Sequence, residues 1–287
     1  MGPIAVPYLV EIAQRQSSGV NLRYRKFFYE LRSRWPRVVA SFLPIPLEYP
    51  YQMQMNAAGA LAQIGEPKEI VLQELIRALH HEYSPIREVA AVALAKLGDQ
   101  AVPALRQSLR DNAPGVRLAA ADALWKTLHD AAEPLPVLVQ LLGDVTNRYK
   151  FRWRSAQVLG DMGPKAQSAV PALIEALKDP ENFVRYRAAR SLGEIGTDAA
   201  RAVPDLIWSL DENHLAPSTR SVDFGGDWQV CLAAADTLGH IRAPSETVVP
   251  ALIATLDSAH AEVTVSCCRA LARFGGERNR RYPYCCV

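Results

Sequence analysis

The chain has 287 residues, enough for one elongated domain or about two globular ones. Hydrophobic residues make up 49% and charged residues 22% of it, values that exclude a wholly disordered chain. The 32 lysines and arginines against 30 aspartates and glutamates leave a formal charge of +2, too balanced for a surface devoted entirely to binding phosphate backbone.

Signals for a membrane span, for targeting and for a disulfide framework are missing from the printed sequence. Charges or prolines interrupt every apolar run before the roughly 18–20 residues of a membrane span. The first six residues carry no basic region of a targeting signal. The five cysteines are Cys231 alone and two adjacent pairs, a spacing unlike that of a small secreted domain. We therefore expect a cytoplasmic protein.

Residues 1–50 are predicted to form a helical cap followed by a proline-rich connection. Within them, residues 22–37 have six basic side chains against Glu30, a net charge of +5, with five aromatic rings interleaved. Basic and aromatic residues together are typical of a phosphate or nucleic-acid surface. The same residues also suit an amphipathic cap helix whose arginines are solvated. We favour the cap, because terminal repeats of a solenoid need atypical covers.

From residue 51 to 276 a two-part sequence recurs with a period of about 33 residues. Its clearest copy is VPALIEALKD at 170–179 followed by VRYRAARSLGEIG at 184–196. The first part begins again at Val102, Leu135, Val203 and Val249, and the second part ends at Gly65, Gly98, Gly163, Gly196 and Gly275.

Each part of the repeat predicts one helix. Pro103, Pro171, Pro204 and Pro250 suit the first turn of a helix, and the closing glycines suit the left-handed residue that ends one. Apolar residues fall at helical spacing between these signals. One helix pair cannot bury its own apolar stripe, so successive pairs must stack. The sequence therefore predicts an all-α fold, a right-handed α-solenoid (an armadillo/HEAT-like superhelix) of about six to seven helical hairpins.

Two further segments depart from the repeat. An insertion of about 13 residues makes a long loop, 211–227, in repeat six. A loop of this length is either functional or disordered. Residues 277–287 are predicted to be a frayed tail. Residues 273–287 carry a net charge of +3, so that residues 38–272 carry −6 between two basic ends.

The repeat resembles HEAT repeats, in particular the bacterial phycobilisome-lyase HEAT-like type. The resemblance lies in the Val-Pro-Ala-Leu first helix, the Asp-Pro-x-x-x-Val-Arg turn and the Ala-Ala-x-x-Leu-Gly-x-Ile-Gly second helix. It implies a structural ladder of ion pairs and hydrogen bonds between neighbouring loops. The residues at these positions are Asp111 and Arg117, Asp144 and Arg152, and Asp179 and Arg185. Cys231 and Thr264 replace the arginine in the last two repeats.

The same resemblance raises three enzymatic possibilities. HEAT-like deoxyhypusine hydroxylases hold iron with repeated His-Glu pairs, which are absent at the matching positions, so we reject that activity and predict no metal site and no cofactor. Bilin lyase subunits share the repeat, but only its structural residues are matched. HEAT-like alkylpurine DNA glycosylases use tryptophan, aspartate and arginine in a cleft, a set that Asp122, Trp125, Trp153 and Arg190 resemble without a motif match.

In such arrays the second helices line the concave face. Aligned on Val184, their groove-facing positions put aromatic rings and guanidinium groups together in repeats four and five, the mixture enriched in binding hot spots. The predicted patch is Trp153, Arg154, Tyr186, Arg187 and Arg190. Arginines that are merely solvated or paired with Asp161 and Glu194 are an equal alternative. We expect a non-catalytic scaffold that binds a protein or peptide partner on its concave surface. The alternatives are a nucleic-acid-binding protein of the alkylpurine DNA glycosylase type and a bilin lyase-like subunit.

Overall fold

The computed structural model describes residues 60, 68–81, 84–211, 227–241 and 245–274. The predictions for residues 1–50, for Gly65 and Gly275, for loop residues 212–226 and for the tail lie outside them. Across the described residues, helices are the only regular elements and no strand occurs, so the predicted all-α class is confirmed. Among these helices none is both long and apolar enough to cross a membrane.

The α-helices alternate as first and second helices of stacked pairs, the α-solenoid that the repeat predicts. Their bounds are α1 Lys68–Leu79 and α2 Ser84–Leu97; α3 Val102–Ser108 and α4 Pro114–Leu128; α5 Pro134–Gly143 and α6 Tyr149–Asp161; α7 Val170–Ala176 and α8 Asn182–Ile195; α9 Val203–Trp208 and α10 Trp228–Ile241; α11 Ser245–Ala254 and α12 Ala261–Phe274. Short 3₁₀ helices at Gly98–Ala101, Gly163–Ala169 and Gly196–Ala202 lead into α3, α7 and α9.

The chain divides into two compact units, residues 1–130 and 131–287. In the first unit the second helices α2 and α4 pack on each other. In the second unit α6, α8, α10 and α12 pack side by side in that order, and each also packs on its own first helix. The first helices of the second unit contact each other less closely than the second helices do.

Glycine and proline act at the helix ends as their chemistry requires. Gly98, Gly163 and Gly196 each end a second helix with a positive φ, between 57° and 81°, as predicted. Repeat three has no such glycine, and His129 takes the left-handed conformation there, with φ 49°. Pro103, Pro171 and Pro204 lie in the first turn of their helices, where a missing N–H costs nothing.

The prediction for Pro250 was wrong. It lies inside α11, which begins five residues earlier at Ser245. After α2, α6 and α8, a left-handed glycine and a 3₁₀ helix separate the second helix from the next first helix. The position equivalent to Gly196 holds Arg242 in this repeat, and an α-helix starts from Ser-Glu-Thr before the proline is reached.

Second helices in the second unit approach closely because glycine faces a hydroxyl. Ser191 donates a hydrogen bond to the carbonyl of Ala156 (2.7 Å), and Thr237, one repeat later, donates to that of Ala189 (2.8 Å). A Cβ added to Gly193 would lie 2.8 Å from Thr237 Oγ1. The glycine in Leu-Gly-x-Ile therefore permits close contact between successive repeats. Helix propensity does not explain a glycine here, because glycine is unfavourable inside a helix.

We expect Leu173→Ala or Leu192→Ala to lower the free energy of unfolding by about 2–5 kcal/mol, since each leaves a cavity in a stacked array. Both side chains are fully buried, as their helical spacing predicts. Urea unfolding measures the loss. Gln167→Ala, at an exposed position, should stay within about 0.5 kcal/mol of the parent. A leucine variant that unfolds like the parent would show that the helix phase is wrong.

We expect Gly193→Ala to destabilise the fold by about 1–3 kcal/mol, because the new methyl group overlaps the stiff, hydrogen-bonded Thr237 side chain. Gly143→Ala is the matched control: a Cβ there meets nothing within 4 Å, and alanine is the better helix residue. In thermal unfolding, the melting temperature should fall for Gly193→Ala and should stay the same or rise for Gly143→Ala. Equal melting temperatures would rule out the close approach.

Candidate binding face and the arginine ladder

Buried arginines connect the loops between the two helices of successive repeats in the second unit. Arg152, 3% exposed, donates from Nε and Nη2 to the two carboxylate oxygens of Asp179, at 2.7 and 2.9 Å. Its Nη1 donates to the carbonyls of Val145 and Asn147 in its own repeat, at 3.3 and 2.6 Å. The hydrogen bond with Asp179 raises the pKa of the Arg152 guanidinium above its ordinary value.

Arg185 repeats this arrangement one repeat later and is only 1% exposed. Its Nη1 donates to the carbonyls of Asp179 (2.7 Å) and Pro180 (3.2 Å), and its Nη2 donates to Asp227 Oδ1. Asp179 thus joins two repeats, because its carboxylate accepts from the preceding repeat and its carbonyl from its own. Within a repeat the arginine bonds backbone oxygens, and the carboxylate comes from the next repeat.

In the first unit Arg117, and Arg87 at the matching position one repeat earlier, also bond to loop carbonyls. Arg117 Nη1 donates to the carbonyls of Asp111 (2.8 Å) and Asn112 (3.0 Å). Arg87 Nη1 donates to the carbonyl of His81 at 2.6 Å. In the second unit the sequence pairs Asp144 with Arg152. In the structure Asp144 Oδ1 accepts a hydrogen bond from the backbone N–H of Thr146 at 3.0 Å. The carboxylate that accepts from Arg152 Nε is that of Asp179.

The side chains that α6, α8, α10 and α12 turn away from their first helices form one surface, which we call the second-helix face. Its residues lie in three rows, one residue per helix. The rows are Trp153, Tyr186, Leu232 and Val265; Gln157, Arg190, Asp236 and Arg269; and Asp161, Glu194, His240 and Arg273. All twelve are partly or fully exposed.

Contacts between α10 and α12 show that the second and third rows are in register there. Arg269 Nη1 donates to Asp236 Oδ1 at 3.1 Å, and Arg273 Nη1 lies 2.9 Å from His240 Nδ1. Each pair joins two members of one row that are 33 residues apart. At the N-terminal ends of α6 and α8, the rings of Tyr149 and Phe183 stack with centroids 6.1 Å apart.

The predicted patch lies on α6 and α8, at one end of the second-helix face. Trp153 and Tyr186 are partly exposed. Arg190 Nη1 donates to the Tyr186 hydroxyl at 3.3 Å, and its Nη2 lies 3.7 Å from Glu194 Oε1. Arg154 donates to Gln157 at 2.8 Å. The structure therefore brings rings and guanidinium groups onto one surface.

Arg187 differs from the other four patch residues because it is largely buried between α6 and α8. Its Nη2 lies 3.6 Å from Asp161 Oδ1 and 3.6 Å from Glu194 Oε2. Glu194 packs over Gly160, and burial raises the pKa of its carboxyl group, while Arg187 and Arg190 oppose that rise. We infer that Arg187 supports the face from beneath, and that Arg154 and Arg190 carry its outward positive charge.

The residues considered for other chemistries lie as follows. Asp122 is 3% exposed and its Oδ2 accepts from Lys126 Nζ at 2.9 Å. Trp125 meets the His129 ring edge-on, with centroids 5.6 Å apart. Both belong to the first unit, whereas Trp153 and Arg190 belong to the second. No group of three or more His, Cys, Asp or Glu side chains suited to a metal ion occurs among the described residues.

Sequence reasoning missed Asp227, the last residue of the long loop. It aligns with Glu181, two positions beyond the ladder aspartate, and yet supplies the carboxylate for Arg185. An unexplained acidic residue directly before the second helix was the only available signal. The end of the inserted loop therefore has a structural role.

We expect Asp179→Ala to lower the free energy of unfolding by about 3–5 kcal/mol, because it leaves the buried Arg152 without its carboxylate. Combining Arg152→Met with Asp179→Leu should recover much of the loss, since the buried charge is then removed as well. Asp198→Ala, at an exposed position in the same unit, is the matched control. Urea unfolding distinguishes these outcomes, and an unchanged Asp179→Ala variant would refute the ladder.

We compared the chain with known protein families, curated proteins and solved structures. A family model described as HEAT repeats matches residues 72–151 and 135–216, which together span half of the chain. No curated protein matches the chain. Among solved structures, Kap121p is similar with a TM-score of 0.55 and 13% identity, over 96% of this chain and 29% of Kap121p.

Two further structures are similar. The Kap95:Nup1 complex has a TM-score of 0.55 and 17% identity, over 95% of this chain and 38% of that chain. The complex of CpcE and CpcF of phycocyanin lyase from Nostoc sp. PCC7120 has 26% identity and a TM-score of 0.37, over 91% and 97%. This chain spans less than two fifths of the Kap proteins it matches. On the family match, with the stacked helix pairs and their closing glycines, the chain belongs to the HEAT-repeat family.

Proposed function

We propose that this chain is a non-catalytic HEAT-repeat scaffold that binds a protein or peptide partner on the second-helix face. The observation that carries the proposal is the row of partly exposed side chains running from Trp153 to Val265, with guanidinium groups beside it. Aromatic and arginine side chains dominate the binding energy of protein interfaces. The cytoplasmic location expected from cysteine usage belongs to the same proposal.

The packing of the second unit supports the choice of this face. Second helices contact each other more closely than first helices do. In a curved stack the more closely packed layer lies on the inside, so we infer that the second-helix face is concave. A concave surface encloses an extended partner on more than one side, which excludes water from its contacts.

Rigidity supports the proposal as well. Each second helix is held by a fully buried core on one side and, in α8 and α10, by a hydroxyl-to-carbonyl bond to the preceding helix. A preformed surface loses little conformational freedom on binding, and this lowers the cost of association. The solved complex of the similar Kap95 with Nup1 is an example of a protein of this fold class with a protein partner.

No reaction is assigned to the chain in this proposal. Polar groups of the patch contact each other: Arg190 donates a hydrogen bond to the Tyr186 hydroxyl and forms an ion pair with Glu194. The glycosylase-like interpretation needs Asp122 at a surface, and its carboxylate is buried against Lys126. We therefore keep nucleic-acid binding only as an outcome of the test.

We expect Trp153→Ala combined with Tyr186→Ala to reduce capture of the protein partner at least tenfold, because each ring of a hot spot contributes more than about 1.4 kcal/mol. Affinity capture from lysate of the source cells with quantitative mass spectrometry measures it, beside a nucleic-acid shift assay at physiological salt. Trp208→Ala is the control, a partly exposed tryptophan on the first helix α9. Capture unchanged by the double variant, or a salt-sensitive nucleic-acid shift, would contradict the proposal.

A further inference from the structure

We infer that the second-helix face selects an acidic, extended segment of its partner that carries an apolar side chain at about every third residue. This inference rests on the proposed function and specifies the chemistry of the partner. Three observations support it: surplus hydrogen-bond donors, the spacing of the apolar row, and the distribution of charge over the second unit.

Arginine donors exceed the acceptors available to them on this face. Its three carboxylates each lie within 4 Å of an arginine: Asp161 of Arg187 beneath the face, Glu194 of Arg187 and Arg190, and Asp236 of Arg269. Each guanidinium has five N–H donors in a fixed fork. The side chains of Arg190 and Arg269 are 50% and 53% exposed. Arg190 contacts Tyr186 and Glu194 of its own helix, and Arg269 contacts Asp236 of the neighbouring helix. The remaining donors face solvent, where carboxylate groups of a partner fit them.

The apolar row sets the spacing of the partner. Trp153, Tyr186 and Leu232 are partly exposed and Val265 is 54% exposed, one on each successive second helix. Packed helices lie roughly 8–10 Å apart. An extended chain in the polyproline II conformation has three residues per turn and rises about 3.1 Å per residue, so that every third side chain points to the same side and lies about 9 Å further along. Four helices therefore accommodate about ten residues of an extended peptide, with its apolar side chains toward this row.

Charge favours an acidic peptide over other partners. The twelve residues of the face include three arginines and three carboxylates. Arg154 beside the face and Arg187 beneath it bring the total to five arginines against three carboxylates. Residues 131–272 as a whole carry 13 lysines and arginines against 17 aspartates and glutamates. An acidic segment is thus repelled by most of the surface and attracted to this face.

A nucleic-acid strand fits the same face less well. Its phosphates carry one negative charge at every nucleotide, and Asp161, Glu194 and Asp236 interrupt the rows that such a strand would follow. The aliphatic side chains Leu232 and Val265 also offer no ring for base stacking. A peptide can place neutral residues opposite the carboxylates.

The test uses fluorescence anisotropy with the full chain and defined probes. The first probe is a peptide of about 12 residues built from the triplet Leu-Glu-Ser. Matched probes replace Glu by Lys or Leu by Ser, and an oligothymidylate of similar length represents nucleic acid. We expect the Leu-Glu-Ser peptide to bind at least tenfold more tightly than each of the others.

Substitutions on the protein locate the effect. Arg190→Ala with Arg269→Ala should weaken binding of the Leu-Glu-Ser probe at least tenfold, since charged hydrogen bonds are lost. Arg201→Ala, an exposed arginine of the same unit in the 3₁₀ helix before α9, should leave it unchanged. Tight binding of the lysine peptide or the oligonucleotide, or equal effects of the two sets of substitutions, would overturn the inference.

The same data separate this inference from the proposed function. If capture of the cellular partner depends on Trp153 and Tyr186 while the Leu-Glu-Ser probe does not bind, the acidic class is wrong and the scaffold proposal stands. If capture is indifferent to these two rings, the proposed function fails and the inference fails with it.

Discussion

A buried guanidinium group requires a carboxylate for its charge and acceptors for its N–H groups, and the stacking of these repeats depends on how that requirement is met. Arg152 and Arg185 take carbonyls from their own loop and a carboxylate from the following repeat. Neither side chain can be satisfied unless the next repeat is in place. The ladder therefore couples the loops of repeats four, five and six and fixes the register between these repeats.

A second contact, between glycine and hydroxyl, sets how closely the second helices approach. Ser191 and Thr237 bond to carbonyls of the preceding second helix, over positions where Gly160 and Gly193 leave room. With register and distance both fixed, the rows of the second-helix face are formed before any partner arrives. This is the physical reason for proposing that this surface binds a partner.

The sequence predicted the features that depend on local chemistry and missed those that depend on which groups meet. Spacing and backbone preference predicted the period, the pairing of the helices and the left-handed glycines. They also predicted that Leu173 and Leu192 are buried. The prediction that Pro250 lies in the first turn of its helix was wrong, because the helix already begins at Ser245. The burial of Arg187 and the pairing of Arg185 with Asp227 depend on contacts between repeats that no single repeat encodes.

The central claim is that a partner occupies the second-helix face, and hydroxyl-radical footprinting of side chains tests it most directly. Trp153 and Tyr186 are partly exposed on that face, and Trp208, 37% exposed on a first helix, is an internal reference in the same molecule. The account predicts that a bound partner slows oxidation of Trp153 and Tyr186 and leaves that of Trp208 unchanged. Protection of Trp208 with unaltered oxidation of the other two would contradict it.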